Sequence, residues 1–235
     1  MNLLLFNAAD RGDDDLVRIT GRDLRHLRQV LGVAVGDELR VGEIDGLTGT
    51  GRICELETSH ATLRVQLQRP PADKLPLRLV LALPRPKMLR RILRSAAELG
   101  VAELHLIHSY RVEKSYWQTP ALAPATLRQY LLQGLEQAGD TVLPAVYCHR
   151  RFKPFVEDTL PALVRGHLAL LAHPGAHLPC PRELREPTVL IVGPEGGFIP
   201  YEVDKLQEAG CQAVSLGSRI LRVENAVTTL LGRLF

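Results

Sequence analysis

The chain has 235 residues, 46% of them hydrophobic, enough for one large domain or two ordinary ones with a sizeable core. Its formal net charge of +3 selects no partner, but residues 1–72 carry nine Lys/Arg against eleven Asp/Glu, whereas 73–235 carry twenty against fifteen. No apolar run is long enough to cross a bilayer, the first six residues lack the basic start and length of a secretion signal, and the four cysteines form no C-x-x-C pair, which argues against zinc. A cytoplasmic protein with reduced, mostly core cysteines is expected, and the basic excess of the second part fits a polyanion contact there.

Residues 3–6 read as a first strand and residues 10–15 as a solvated acidic turn. A short helix is expected over 20–31, with Leu24, Leu27 and Leu31 as its apolar stripe and Thr20 as its N-cap. Arg22, Arg25 and Arg28 lie off that stripe and have two readings, solubilising charge or RNA phosphate contact. Residues 37–41, 51–56 and 61–67 alternate polar and apolar, as strands of a small antiparallel barrel do. The proline-rich run 70–76 is stiff and strand-breaking, and it divides the chain into domains 1–72 and 73–235.

The second domain opens with a strand over 77–83. A helix over 87–99 follows, stopped by Gly100, with Met88, Leu89, Ile92, Leu93, Ala96 and Leu99 on its apolar face. Lys87, Arg90, Arg91 and Arg94 fall at i, i+3, i+4 and i+7, so four cations share another face with no acid among them. A solvated face is one reading; phosphate contact is the one favoured here. A strand over 103–108 carries His105 and His108, read as structural rather than as metal ligands, since no third ligand is near. A helix over 126–138, a strand over 144–148, a helix around 154–163 and a buried strand over 167–173 complete this part.

The most informative stretch comes last. The apolar run 188–192 breaks into Gly193-Pro194-Glu195-Gly196-Gly197-Phe198-Ile199-Pro200, a helix is expected over 201–209, and the apolar run 213–216 meets Gly217-Ser218-Arg219-Ile220-Leu221-Arg222-Val223-Glu224-Asn225-Ala226. Continuous Val/Ile/Leu runs bounded by Gly and Pro suit strands buried on both faces, and ligands of open α/β sheets collect where such strands end. The glycines let backbone N–H groups approach a ligand, and Pro200 suits a first helical turn. A final helix presents Val223, Val227, Leu230, Leu231 and Leu234 on one face.

The motif pair 193–198 and 216–224 closely resembles the signature of the RsmE-type ribosomal RNA methyltransferases, members of the SPOUT superfamily. The resemblance implies an α/β fold with a mostly parallel sheet, helices on both faces and a C-terminal trefoil knot, after an N-terminal PUA-like RNA-binding barrel. It implies S-adenosylmethionine as cofactor, no metal, a homodimer, and methylation of a uridine N3 near the decoding centre of 16S ribosomal RNA, free or in the assembled small subunit. On the matching positions it assigns Leu216, Gly217, Ile220 and Leu221 to an adenine slot. Gly193, Glu195, Gly196 and Gly197 fall on the ribose and methionine side, and Leu171, Ala172 and His173 at the strand end that opens the pocket. Arg111 matches an Arg of the family's loop. Arg222, stabilising a uracil anion, and Glu224, orienting it or accepting the N3 proton, are the catalytic candidates. The chain departs from the family at Val223 and Asn225, where hydroxyl residues usually flank the Glu, and at Asp140, where an Arg usually follows the glycine. A ribose 2′-O methyltransferase and a non-catalytic RNA-binding assembly factor are the competing readings. A dehydrogenase lacks its G-x-G-x-x-G and a P-loop enzyme its G-K-[ST].

Overall fold

The computed structural model describes residues 2–12 and 14–235. Met1 and Asp13, the latter within the acidic turn expected over 10–15, lie outside the described residues. The chain divides into two units: residues 1–73 with 132–143, and 74–131 with 144–235. The sequence-based division at residue 72 left 132–143 with the second domain.

The first unit holds strands β1 (Leu4–Phe6), β2 (Leu16–Ile19), β3 (Glu38–Glu43), β4 (Thr48–Leu56) and β5 (Ala61–Arg69), in the order β1-β3-β4-β5-β2. The pairs β3–β4, β4–β5 and β2–β5 are antiparallel, whereas β1 joins β3 in parallel. Alternation drives this sheet: Val41, Ile53, Leu63 and Val65 are buried with Leu4, Phe6, Val17 and Ile19. The helix α1 (Gly21–His26) adds Leu24 and Leu27 to that core, continues as a π-turn to Leu31, and stops at Gly32. Thr20 stands at its N-cap, but its side chain makes no capping bond.

Residues 132–143 are tied to this unit by polar bonds. The backbone N–H of Leu3 donates to the Glu136 carbonyl at 3.0 Å, Thr141 Oγ1 to the Gly46 carbonyl at 2.6 Å, and the Leu143 N–H to Asp45 Oδ1 at 2.8 Å. Asp140, at the position where the resembled family has Arg, accepts the N–H groups of Thr141 and Val142 at 2.7 and 3.1 Å.

The second unit is built on β6 (Leu77–Ala82), β7 (Glu103–Ile107), β8 (Ala145–His149), β9 (Leu168–Ala172), β10 (Leu178–Pro179), β11 (Thr188–Val192) and β12 (Gln212–Ser215). Their order is β10-β12-β9-β11-β6-β7-β8, and every pair is parallel. Central β11 is buried at all five residues, as a strand flanked on both sides must be. Register aligns Leu81, Ala172 and Val214 through their partners in one row with Val192, so the loops that follow β6, β9, β11 and β12 leave along one edge.

The helices are α2 (Pro86–Glu98), α3 (Pro124–Ala138, shared between the units), α4 (Phe152–Pro154) and α5 (Leu160–Val164), joined by a π-turn, α6 (Pro200–Glu208) and α7 (Val223–Leu234). Pro86 and Pro200 sit in first helical turns, where the missing N–H costs nothing. α2 buries Leu89, Ile92, Leu93, Ala96 and Ala97; α7 packs against α2 and buries the face expected from its spacing. Of the four cysteines expected mostly in the core, Cys180 and Cys211 are buried but Cys54 and Cys148 are exposed. Cys54 alternates with buried Ile53 on β4, and Cys148 lies on the edge strand β8, most of whose residues are exposed.

Candidate active site

The loop 193–200 leaves β11 and is held by several polar bonds. Glu195 Oε1 accepts the Arg85 N–H at 3.1 Å, which ties it to the loop after β6. The Arg111 guanidinium donates to the Gly196 carbonyl. A Cβ at Gly196 would lie 3.0 Å from Arg111 Cδ, so this side-chain stem passes across bare backbone. Gly197 has φ +73°, a conformation that suits glycine, and its N–H closes the turn on the Pro194 carbonyl at 2.8 Å.

Glu202 organises the region and escaped the sequence reading. It lies in the first turn of α6 and is only 2% exposed. Its Oε2 accepts the Ile199 N–H at 3.0 Å and its Oε1 the Tyr110 N–H at 2.7 Å, so one carboxylate joins the loop after β7 to the loop after β11. The detectable signal was the three-residue spacing from Ile199, at which a Glu returns to the N-cap N–H.

The loop 216–222 is different. Ser215 Oγ and the Gly217 N–H make a 3.0 Å bond at its start. Beyond that point Ser218, Arg219, Ile220, Leu221 and Arg222 are all exposed, Ile220 by 84%. Arg222 stands at the N-cap of α7 and Glu224 in its first turn; among the described residues neither side chain has an ion-pair partner.

A cavity of about 420 Å³ opens beside this loop, lined by Pro174, Ala176, His177, Leu178, Pro179, Ser215, Leu216, Gly217, Ser218 and Arg233. Leu216 and Gly217 are thus the expected adenine-slot residues that line it. Leu171 is fully buried within β9, and Ala172 pairs with Val192 and Val214 at the strand ends. The His173 N–H donates to the Val214 carbonyl at 2.9 Å and its Nδ1 accepts the Gly175 N–H at 3.1 Å, so His173 shapes the turn into the lining segment. Gly193, Glu195, Gly196 and Gly197 meet Phe198, Arg85 and Arg111 instead. The segment 174–179 and Arg233, whose Nε donates to the Cys180 carbonyl at 2.8 Å, were not among the sequence candidates. An edge strand of two residues containing proline leaves almost no periodic signal.

Among the expected RNA contacts, Lys87, Arg90 and Arg91 are exposed along α2, and Arg94 lies half-buried with its guanidinium 5.7 Å from the centre of the Tyr130 ring. In the first unit Arg25 and Arg28 are exposed, whereas Arg22 pairs with buried Glu136 at 2.5 Å. Burial raises the Glu136 carboxyl above its ordinary range, with Arg22 opposing it.

A family described as "RNA methyltransferase domain" matches residues 71–234. The ribosomal RNA small subunit methyltransferase E of Treponema pallidum is 31% identical over 96% of this chain and 87% of its own. The chain belongs to this family. The Synechocystis protein of the same name is 30% identical, over 93% of this chain and 72% of its own. The structure of ribosomal RNA small subunit methyltransferase E from Neisseria gonorrhoeae, bound to S-adenosyl methionine, superposes with a TM-score of 0.77 at 23% identity, over 97% of this chain and 95% of that one, a likeness of fold. For a chain of the methyltransferase E family, the cavity and the two strand-end loops form the natural candidate for the reactive centre.

Proposed function

We propose that this methyltransferase E chain uses S-adenosylmethionine to methylate N3 of a uridine in 16S ribosomal RNA, near the decoding centre, during small-subunit maturation. The observation that carries the reading is the cavity at the carboxyl edge of the parallel sheet, beside the loop 216–222. Its volume falls in the range of roughly 300–1,000 Å³ usual for small-molecule sites. Leu178, Leu216, Pro174 and Pro179 supply apolar surface for a flat purine, and the backbone at 215–218 supplies polar groups for its edge. When bound, the cofactor supplies an electrophilic methyl on a sulfonium.

The chain's own contribution is position and charge. N3 of uracil bears a proton at neutral pH, so the attacking atom must lose it. Arg222 stabilises the resulting anion across an exocyclic oxygen, helped by the positive end of α7, and Glu224 orients Arg222 or takes the proton. Because N3 is a pairing atom, the base enters unpaired. Arg25, Arg28, Lys87, Arg90, Arg91, Arg94 and Arg111 are assigned to phosphate contacts, with Arg22 as a weaker member because Glu136 already engages it.

Three finer features complete the reading. The five-stranded unit is a PUA-like RNA-binding barrel. The C-terminal helix is threaded in a trefoil knot, in keeping with bonds from Arg233 to the Cys180 carbonyl and from the Leu184 N–H to the Leu234 carbonyl at 2.8 and 2.6 Å. The enzyme is a homodimer, which would cover Ile220. It acts in the cytoplasm, where its RNA is; no helix among the described residues is long and apolar enough to cross a membrane.

Nucleoside mass spectrometry of 16S ribosomal RNA from cells lacking the protein tests the assignment. Loss of one base-methylated uridine, restored by the wild-type chain but not by Arg222→Ala, is expected. Loss of a ribose-methylated nucleoside instead, or an unchanged profile, overturns it.

A further inference from the structure

Tyr110 sits at the tip of a turn whose backbone is fixed on every side. The turn closes from Ser109 to Val112, whose N–H donates to the Ser109 carbonyl at 3.0 Å. Ser109 and Val112 are buried, but Tyr110 between them is 77% exposed. The approach to the turn is equally held: the His108 N–H donates to the His149 carbonyl at 2.9 Å, and His108 Nδ1 accepts from Trp117 Nε1 at 3.0 Å. Arg150 caps the Trp117 ring at 5.3 Å from its centre. The Tyr110 N–H is taken by buried Glu202, and the next residue, Arg111, grips the Gly196 carbonyl.

A rigid backbone therefore carries one bare aromatic ring beside the glycine loop. Among the described residues the Tyr110 phenol has neither a hydrogen-bond partner nor a ring partner. Scattered surface aromatics are ordinary, so the ring alone marks nothing; what sets Tyr110 apart is the held backbone beneath it together with the cations around it. Here the ordering cost is met before any ligand arrives. The loops that leave the same edge expose Arg85, Arg111, Lys114, Arg150 and Arg151, against Glu113 and Glu195. Net positive charge around an exposed ring is the combination that holds unpaired nucleic acid, with cations on the phosphates and a base on the π-face.

We propose that Tyr110 is the platform on which a base of the RNA substrate stacks, next to the glycine loop; this rests on the RNA methyltransferase reading above. A stacked base is held by the ring face, so Phe and Trp replace Tyr and Ala does not.

The test is steady-state methylation of small subunits at saturating S-adenosylmethionine, with the subunit varied. Tyr110→Ala is expected to raise KM for the subunit by about 5- to 100-fold. Its kcat at saturation and its calorimetric affinity for S-adenosylmethionine stay as in the wild type. Tyr110→Phe and Tyr110→Trp remain within about threefold of the wild type, because each keeps a stacking face. An unchanged KM for Tyr110→Ala overturns the proposal, as does Tyr110→Phe failing as badly as Ala, which would mark a hydroxyl contact. A lower molar mass for Tyr110→Ala in light scattering also overturns it, by assigning the ring to a second copy of the chain. If the wild type methylates no RNA, the enzyme reading fails separately. Fluorescence anisotropy with labelled single-stranded RNA then still decides whether Ala binds more weakly than Tyr.

Discussion

The two loops that share the carboxyl edge of the parallel sheet are built on opposite plans. In 193–200 the Glu195 carboxylate, the Gly196 carbonyl and the N–H groups of Gly197 and Ile199 all have partners within the protomer. In 216–222 the side chains from Ser218 onward face solvent, and Ile220 is 84% exposed. The first loop is finished by folding. The second presents apolar and cationic side chains to solvent. A site that brings a small cofactor and a large RNA together needs both kinds: one wall that is preorganised, and one that is completed on assembly.

The most damaging way to break this contrast is to empty the clamp. Glu202→Leu fills similar space but leaves the N–H groups of Tyr110 and Ile199 without their acceptor. An unmet buried donor costs about 1–3 kcal/mol, so a loss of about 2–5 kcal/mol is expected. Urea unfolding should show a lower midpoint at unchanged slope, together with weaker S-adenosylmethionine binding. A change under about 0.5 kcal/mol, the range of neutral surface substitutions, would mean that the loops hold themselves without the carboxylate.

Gly197→Ala probes the same wall more gently. The side chain finds room, its closest neighbour being Arg111 Nη1 at 3.9 Å, but the backbone sits at φ +73°. The left-handed conformation costs an L-residue about 1–2 kcal/mol, so a stability loss of that size with only a small change in the loop's hydrogen bonds is expected. Equal stability of Ala and Gly would show that the turn relaxes to another conformation.

Acid is expected to loosen the finished wall selectively. His108 accepts from Trp117 through Nδ1, which must therefore be unprotonated. Burial holds its pKa below the ordinary value; Glu202 pulls it upward, and Lys114 pushes it further down. The folded pKa thus lies beneath the unfolded one, near 6.5. The unfolded chain binds the extra proton first, so this contribution is complete above about pH 6.5 and shrinks as pH falls through that value. His105 and His149, bonded at 3.1 Å and also lowered chiefly by burial, add in the same direction. Urea midpoints measured from pH 7.5 to 5 should fall, and His108→Gln, which keeps an acceptor without titrating, should flatten the slope. A slope identical in the variant would assign the acid response elsewhere.

What the chain disclosed in advance follows the physics of each signal. The central strands of the parallel sheet were legible because strands buried on both faces read as unbroken apolar runs, as at 188–192 and 168–172, whereas the two-residue edge strand β10 was not. Strand β2 was not: it is four residues long with Arg18 inside, too short to establish alternation. The attachment of 132–143 to the first unit was hidden as well. A linker at 70–76 marks a break in sequence, while the bonds from Thr141 and Leu143 span about a hundred residues and leave no local trace. The glycine loop was visible as a motif, but its reasons were not: Gly196 is bare because the Arg111 stem crosses it, a long-range contact. The lining at 174–179 escaped for the same cause, since only the fold brings it to 215–218.

Ile220→Ser gives the smallest expected change in stability and is the sharpest probe of the open loop. A side chain with 84% of its surface exposed contributes little to folding, so unfolding free energy should shift by no more than about 0.5 kcal/mol. Any functional loss must then arise outside the protomer. If a second copy covers Ile220, light scattering of the Ser variant at micromolar concentration shows the monomer mass and methylation falls with it. If the purine alone meets Ile220, mass is unchanged and only the calorimetric affinity for S-adenosylmethionine drops. A variant that keeps its mass, its affinity and its methylation rate would leave the exposure of this loop without a partner, and the contrast between the two walls would reduce to a difference in packing.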